Sequence, residues 1–137
     1  SSDNKKENKE LGLIKGSGLI LVVDDEEVIR HTIKSILSEC GYDVLLAENG
    51  LEGVKIFNQK YNDIKAVILD MAMPKMSGKD AYIEMKKINP NIKVLMASGY
   101  KQDERVQESL RLGVNAFIQK PFSIDELSKI VSELTSL

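Results

Sequence analysis

The sequence predicts a doubly wound α/β domain: a five-stranded parallel sheet covered by five helices. Three observations predict it. Five short apolar runs, Leu19–Val23, Val44–Ala47, Ala66–Leu69, Val94–Ala97 and Ala116–Ile118, alternate with five segments of helical periodicity. Leu19–Val23 and Ala66–Leu69 have no polar face, as strands covered on both sides require. The length of 137 residues suits one domain with a sizeable core.

Residues 1–18 are polar and charged and end in Gly16-Ser17-Gly18, so they read as a linker or flexible tail, with 19–137 as the domain. Leu11, Leu13 and Ile14 are the apolar residues of that tail available to dock. The glycines precede the first strand instead of following it, which rules out a dinucleotide fingerprint. The first helix, about 26–40, sets Ile29, Ile33, Ile36, Leu37 and Cys40 on one face, with Arg30, Lys34, Ser38 and Glu39 elsewhere. The second, about 50–60, opens on Asn49 with Glu52 three residues on, a capping-box spacing. The third, about 78–89, starts from Ser77 and Asp80 and stops at Asn89-Pro90; the fourth, about 103–112, stops at Gly113. The fifth has Ser123 as N-cap, Glu126 reaching back, and Phe122 with Leu127 as a hydrophobic staple. Its expected buried face is Ile124, Leu127, Ile130, Val131 and Leu134.

Composition narrows the function. A net charge of −2 gives no broad pull toward nucleic acid or anionic lipid, so direct binding to either is not expected. The single cysteine, Cys40, cannot form an internal disulfide or a cysteine-based zinc site, and it reads as a small buried residue at a helix end. No apolar run approaches the ~20 residues of a membrane span and no signal peptide is visible, so the expected location is a reducing cytoplasm.

Right-handed crossovers bring the C-terminal ends of all the strands to one edge of the sheet, where ligands of such folds bind. Asp24 and Asp25, followed by Glu26 and Glu27, stand after strand one; Asp70 after strand three; Ser98-Gly99 after strand four; Lys120-Pro121 after strand five. Glu48-Asn49, after strand two, reads as a helix start. Each has a plain structural explanation when taken alone. Asp24 or Asp25 can cap the first helix, Asp70 can be a solvated loop carboxylate, Ser98 a turn former, and Lys120 a surface lysine. Together they put three carboxylates, a hydroxyl and an ammonium in one small space.

Asp24, Asp25 and Asp70 bring −3 and Lys120 brings +1, so the group carries −2 and the carboxylates repel one another. A hard divalent cation with oxygen ligands relieves the conflict, and Mg²⁺ suits it, with Mn²⁺ as a substitute. No histidine or thiolate is present there, so zinc fits poorly. A carboxylate can attack phosphorus to give an acyl phosphate, and Asp70, after the middle strand, is the best candidate nucleophile. Lys120 can pair first with Asp70 and then with a phosphoryl oxygen, and Ser98 can donate a hydrogen bond to another.

The stretches Ile20-Leu21-Val22-Val23-Asp24-Asp25-Glu26, Leu69-Asp70-Met71-Ala72-Met73-Pro74-Lys75-Met76-Ser77-Gly78, Met96-Ala97-Ser98-Gly99-Tyr100 and Ala116-Phe117-Ile118-Gln119-Lys120-Pro121-Phe122 resemble the response-regulator receiver domains. The resemblance runs from about residue 19 to about 135 and implies the flavodoxin-like strand order 2-1-3-4-5. It implies that Asp70 is the phosphorylated aspartate, Asp25 a direct Mg²⁺ ligand, Asp24 a ligand largely through water, and the Ala72 backbone carbonyl a further ligand. It makes Ser98 the switch hydroxyl, Lys120 the site lysine, the Lys120-Pro121 bond cis, and Phe117 an aromatic switch; without it, Phe117 reads as a plain core aromatic. Ala72 and Tyr100 stand where the family tunes dephosphorylation. Ala72 has no polar group to hold an attacking water, so slow or moderate self-hydrolysis is expected, to be timed by loss of the phosphoryl group.

The resemblance also implies partners: a histidine kinase or histidine phosphotransfer domain as phosphodonor, and a downstream protein met by the face of the fourth helix, fifth strand and fifth helix, a face on which a homodimer could also form. Ser98-Gly99-Tyr100 and the Gly-Ser-Gly lead-in are similar to receivers carried by hybrid sensor histidine kinases. His31, the single histidine, reads as a surface residue. The isolated domain is expected to catalyse only its own phosphorylation and dephosphorylation. Three other readings compete. A haloacid-dehalogenase-type phosphatase needs a second aspartate at the position of Ala72. A flavodoxin-like carrier needs a hydroxyl- and glycine-rich loop where the acidic pair stands. A degenerate receiver serving only as an interaction module would usually have lost an acidic residue or the lysine, and all are present.

Overall fold

Every apolar run becomes a strand in the computed structural model, which describes residues 13–99 and 104–136. The strands are β1 (Leu19–Val23), β2 (Asp43–Ala47), β3 (Ile64–Asp70), β4 (Lys93–Ser98) and β5 (Ala116–Gln119). The helices are α1 (Glu27–Cys40), α2 (Gly50–Lys60), α3 (Gly78–Ile88), α4 (Glu104–Arg111) and α5 (Ile124–Thr135). All strand pairs are parallel, in the order β2-β1-β3-β4-β5. Val23 lies opposite Ala47 and Leu69, Asp70 opposite Ala97, and Ser98 opposite Gln119, so the strand ends form one rim.

Both faces of the sheet are dry, which explains the absence of alternation in β1 and β3. On one face Leu21, Val23, Val67, Leu69, Val94 and Met96 pack with Phe57 of α2, Tyr82 and Met85 of α3, and Val106 of α4. On the other, Ile20, Val22, Ile68, Leu95 and Ala97 pack with Ile33 and Leu37 of α1 and Leu127 and Val131 of α5.

The predicted caps form. Asn49 accepts the Glu52 N–H, Ser77 accepts the Asp80 N–H, and Ser123 with Glu126 makes a reciprocal capping box. Gly41 ends α1 in the left-handed region, at φ 108°. Two helix faces differ from expectation. Arg30 is buried, 8% exposed, within the stripe assigned to apolar residues, because its guanidinium has a backbone carbonyl to bind. In α5, Ser128 is fully buried while Ile124 is 44% exposed. The Ser128 hydroxyl is satisfied by the Ile14 N–H, and Ile124, in the first turn, sits beside Val28 and His31 of α1 in an open groove.

Candidate functional site

The site is built at the strand-end rim, beginning with Asp24. Its N–H continues the sheet by donating to the Ala47 carbonyl, which fixes its backbone just past β1. The side chain is 2% exposed and each oxygen has a partner: Oδ1 accepts the Glu26 N–H at 2.9 Å and Oδ2 accepts from Lys120 Nζ at 2.7 Å. Its backbone carbonyl accepts from Arg30 Nη1 at 2.8 Å. The helix-cap alternative for Asp24 is therefore only half met. Its carboxylate holds the amide of Glu26, but that residue is itself the N-cap and has no side-chain cap bond. Asp25, next in the chain, is exposed.

Asp70 ends β3, the middle strand, and is 6% exposed. The chain turns immediately: Met71 donates to the Ala97 carbonyl and Gly78 donates back to the Met71 carbonyl, both at 2.9 Å. Gly78 is required by this closeness, since a Cβ there would collide with the Asp70 carbonyl oxygen. Within the loop, Lys75 has a left-handed backbone, φ 68°, which costs a non-glycine residue roughly 1–2 kcal/mol.

Ser98 ends β4, buried, one position beyond the register partner of Asp70. Its carbonyl accepts the Lys120 N–H at 2.7 Å, which fixes the lysine backbone next to β4. The Lys120-Pro121 peptide bond is cis. Lys120 Nζ then lies 2.7 Å from Asp24 Oδ2 and 3.3 Å from Asp70 Oδ1. Asp24, Asp25 and Asp70 each offer an oxygen, and these atoms all lie within 4.8 Å of one another.

Electrostatics follow from this crowding. Burial, and then the negative charge of Asp24, push the Asp70 carboxyl up to about 7, against the pull of Lys120. For Lys120, burial draws the ammonium down, but Asp24 and Asp70 together outweigh it and the net shift is upward. The donor set consists of closely spaced carboxylates carrying more negative charge than one ammonium balances. It fits a hard divalent cation bound through oxygen.

The other predicted residues lie around this centre. Ala72 is exposed and lines a cleft with Met73, Pro74 and the Lys79–Glu108 ion pair. Phe117 on β5 is half-buried and packs against the layer containing α2 and α3. Tyr100 lies outside the described residues. His31 is on the surface, near Glu27. Sequence reasoning missed Arg30 and the role of Gly78. Arg30 falls in step with Ile33, Leu37 and Cys40, so helical spacing alone pointed inward, while its charge argued against it. Gly78 is a poor residue for a helix start, which is a signal that something presses on it.

The family model for the response regulator receiver domain matches residues 20–132. Over 119 residues the chain is 37% identical to the chemotaxis protein CheY of Thermotoga maritima, covering 86% of this chain and 95% of that protein. It is 36% identical over 118 residues to sporulation initiation phosphotransferase F of Bacillus subtilis, covering 86% and 94%. A solved response regulator receiver domain protein from Clostridium thermocellum matches with a TM-score of 0.83 at 35% identity, over 87% of this chain and 94% of that one.

Proposed function

The chain belongs to the response regulator receiver domain family, and from that premise we propose that Asp70 is its phosphoacceptor. Receiver domains accept phosphoryl groups in two-component signalling. The observation that carries the assignment to Asp70 is the placement of its buried carboxylate 3.3 Å from Lys120, within a cluster of three acids in which the Asp24 oxygens already accept from the Glu26 N–H and from Lys120.

Asp24, Asp25, Asp70 and the Ala72 carbonyl would hold a Mg²⁺ ion, or Mn²⁺ in its place, which supplies the positive charge that an anionic donor needs in order to approach. The Asp70 carboxylate attacks the phosphorus of a phosphohistidine on a histidine kinase or phosphotransfer domain. An O–P bond forms, the P–N bond breaks, and the imidazole leaves. Lys120, already held beside Asp70 by Asp24, then meets a phosphoryl oxygen without having to travel. The acyl phosphate carries about −2 where the carboxylate carried −1, so Lys120 and the Ser98 hydroxyl gain a stronger partner. That gain can shift Phe117 and the face of α4, β5 and α5 toward a form that a downstream protein recognises. The domain's own catalysis is confined to gaining and losing this group, and its work belongs in the cytoplasm.

Beryllofluoride, a mimic of the acyl phosphate, tests the reading. With Mg²⁺ it should bind and move the backbone resonances of Ser98 and Phe117, and it should fail with chelator or with Asp70→Ala. Equal binding by Asp70→Ala would remove Asp70 from the site.

A further inference from the structure

The segment before β1 lies outside the family match, which begins at residue 20, yet residues 13–18 are bonded to four parts of the domain, one of them β3, whose Lys65 Nζ donates to the Ser17 carbonyl at 3.2 Å. Ile14 donates its N–H to the Ser128 hydroxyl of α5 at 2.8 Å. Gly16 donates to the Cys40 carbonyl at the end of α1 at 2.9 Å, and the Gly18 carbonyl accepts from Asp43 at the start of β2. Leu13 packs into the apolar layer shared by α1 and α5. Gly16 passes so close over Tyr42 that a Cβ would collide with its ring, and the Tyr42 hydroxyl in turn reaches Thr135 of α5. Beneath this crossing lies Cys40, 0% exposed, its thiol facing Ser128 and the Ile14 backbone.

We propose that residues 13–18 are a strap that ties the C-terminal end of α1 to α5 and seals Cys40 under it. The chain entering the domain is thereby fixed to α5 at Ser128 and to the end of α1 at Cys40, so a displacement of residues 13–16 bears directly on the contact between the two helices. Glycine serves the strap at position 16, where only a bare backbone clears Tyr42. Ile14 is 42% exposed, and its N–H is the group that bonds to α5.

Cys40 is the single thiol of these 137 residues, which makes it a reporter of the strap in this chain. Ile14→Pro removes the donor to Ser128, and Gly16→Ala drives the strap off Tyr42. Loss of one such tie should speed native-state labelling of Cys40 by a thiol reagent about tenfold. Hydrogen exchange of the β3 amides, read on the same samples, should stay at the wild-type rate. Labelling unchanged in both variants would overturn the strap. So would acceleration of Cys40 and the β3 amides together, since that reports loosening of the whole domain.

Discussion

At Asp70 the needs of the site oppose those of the fold. Burial and the neighbouring Asp24 raise its carboxyl from 3.8 to about 7, so without a cation the folded state holds a proton that the unfolded chain has released over that range. The native state binds more protons than the unfolded state between about pH 4 and 7, and stability therefore falls as pH rises through the folded value. Asp70→Asn removes the conflict. In chelator at pH 8 it should be more stable than wild type by about 1–3 kcal/mol, with the gap closing toward pH 4. Saturating Mg²⁺ should narrow the gap by stabilising wild type, since a cation held by the folded carboxylate cluster would favour the folded form. Denaturant titrations at several pH values decide this, and parallel curves for the two proteins from pH 4 to 8 would contradict it. Asp24, Asp25, Asp70, Ser98 and Lys120 were legible as residues because each follows an apolar run. Arg30 was not, because a charge on a helix is ordinarily solvated, and its partners, the bare carbonyl of Asp24 at 2.8 Å and the Glu48 carboxylate at 3.9 Å, come from outside the helix.

Among elements, the junction from β3 into α3 sets the position of Asp70. Gly78 lets the helix start against the strand end, and a side chain there presses on the Asp70 carbonyl. Gly78→Ala should destabilise the domain by about 1–3 kcal/mol and weaken Mg²⁺ binding. Ser77→Ala removes only the helix cap, and it should cost about 1 kcal/mol with cation affinity preserved. Calorimetric titration of Mg²⁺ into both variants separates positioning from plain stability, and wild-type affinity in Gly78→Ala would show that the junction does not place Asp70. The caps at Asn49, Ser77 and Ser123 were readable because a cap is a local pattern of two side chains three residues apart. The inward turn of Ser128 was not, because its partner, the Ile14 amide, comes from 114 residues away and leaves no local trace.

For the whole molecule, parallel topology is what turns separated residues into a site. Only with β1, β3, β4 and β5 pointing the same way in the order β2-β1-β3-β4-β5 do Asp24, Asp70, Ser98 and Lys120 come to one rim. The alternation of apolar runs and helices made that architecture readable. The pairing of Lys120 with Asp24 at closer range than with Asp70 was not readable, because charge counting gives the occupants of a pocket and not their distances. The proposed chemistry at this rim is transfer of a phosphoryl group to one carboxylate, Asp70. Intact-mass spectrometry with peptide mapping, after incubation with a small acyl-phosphate donor and Mg²⁺, is the decisive experiment. One added phosphoryl group that maps to Asp70 and disappears with chelator or with Asp70→Asn is the expected result. No added mass, or a gain that persists in Asp70→Asn, would contradict it.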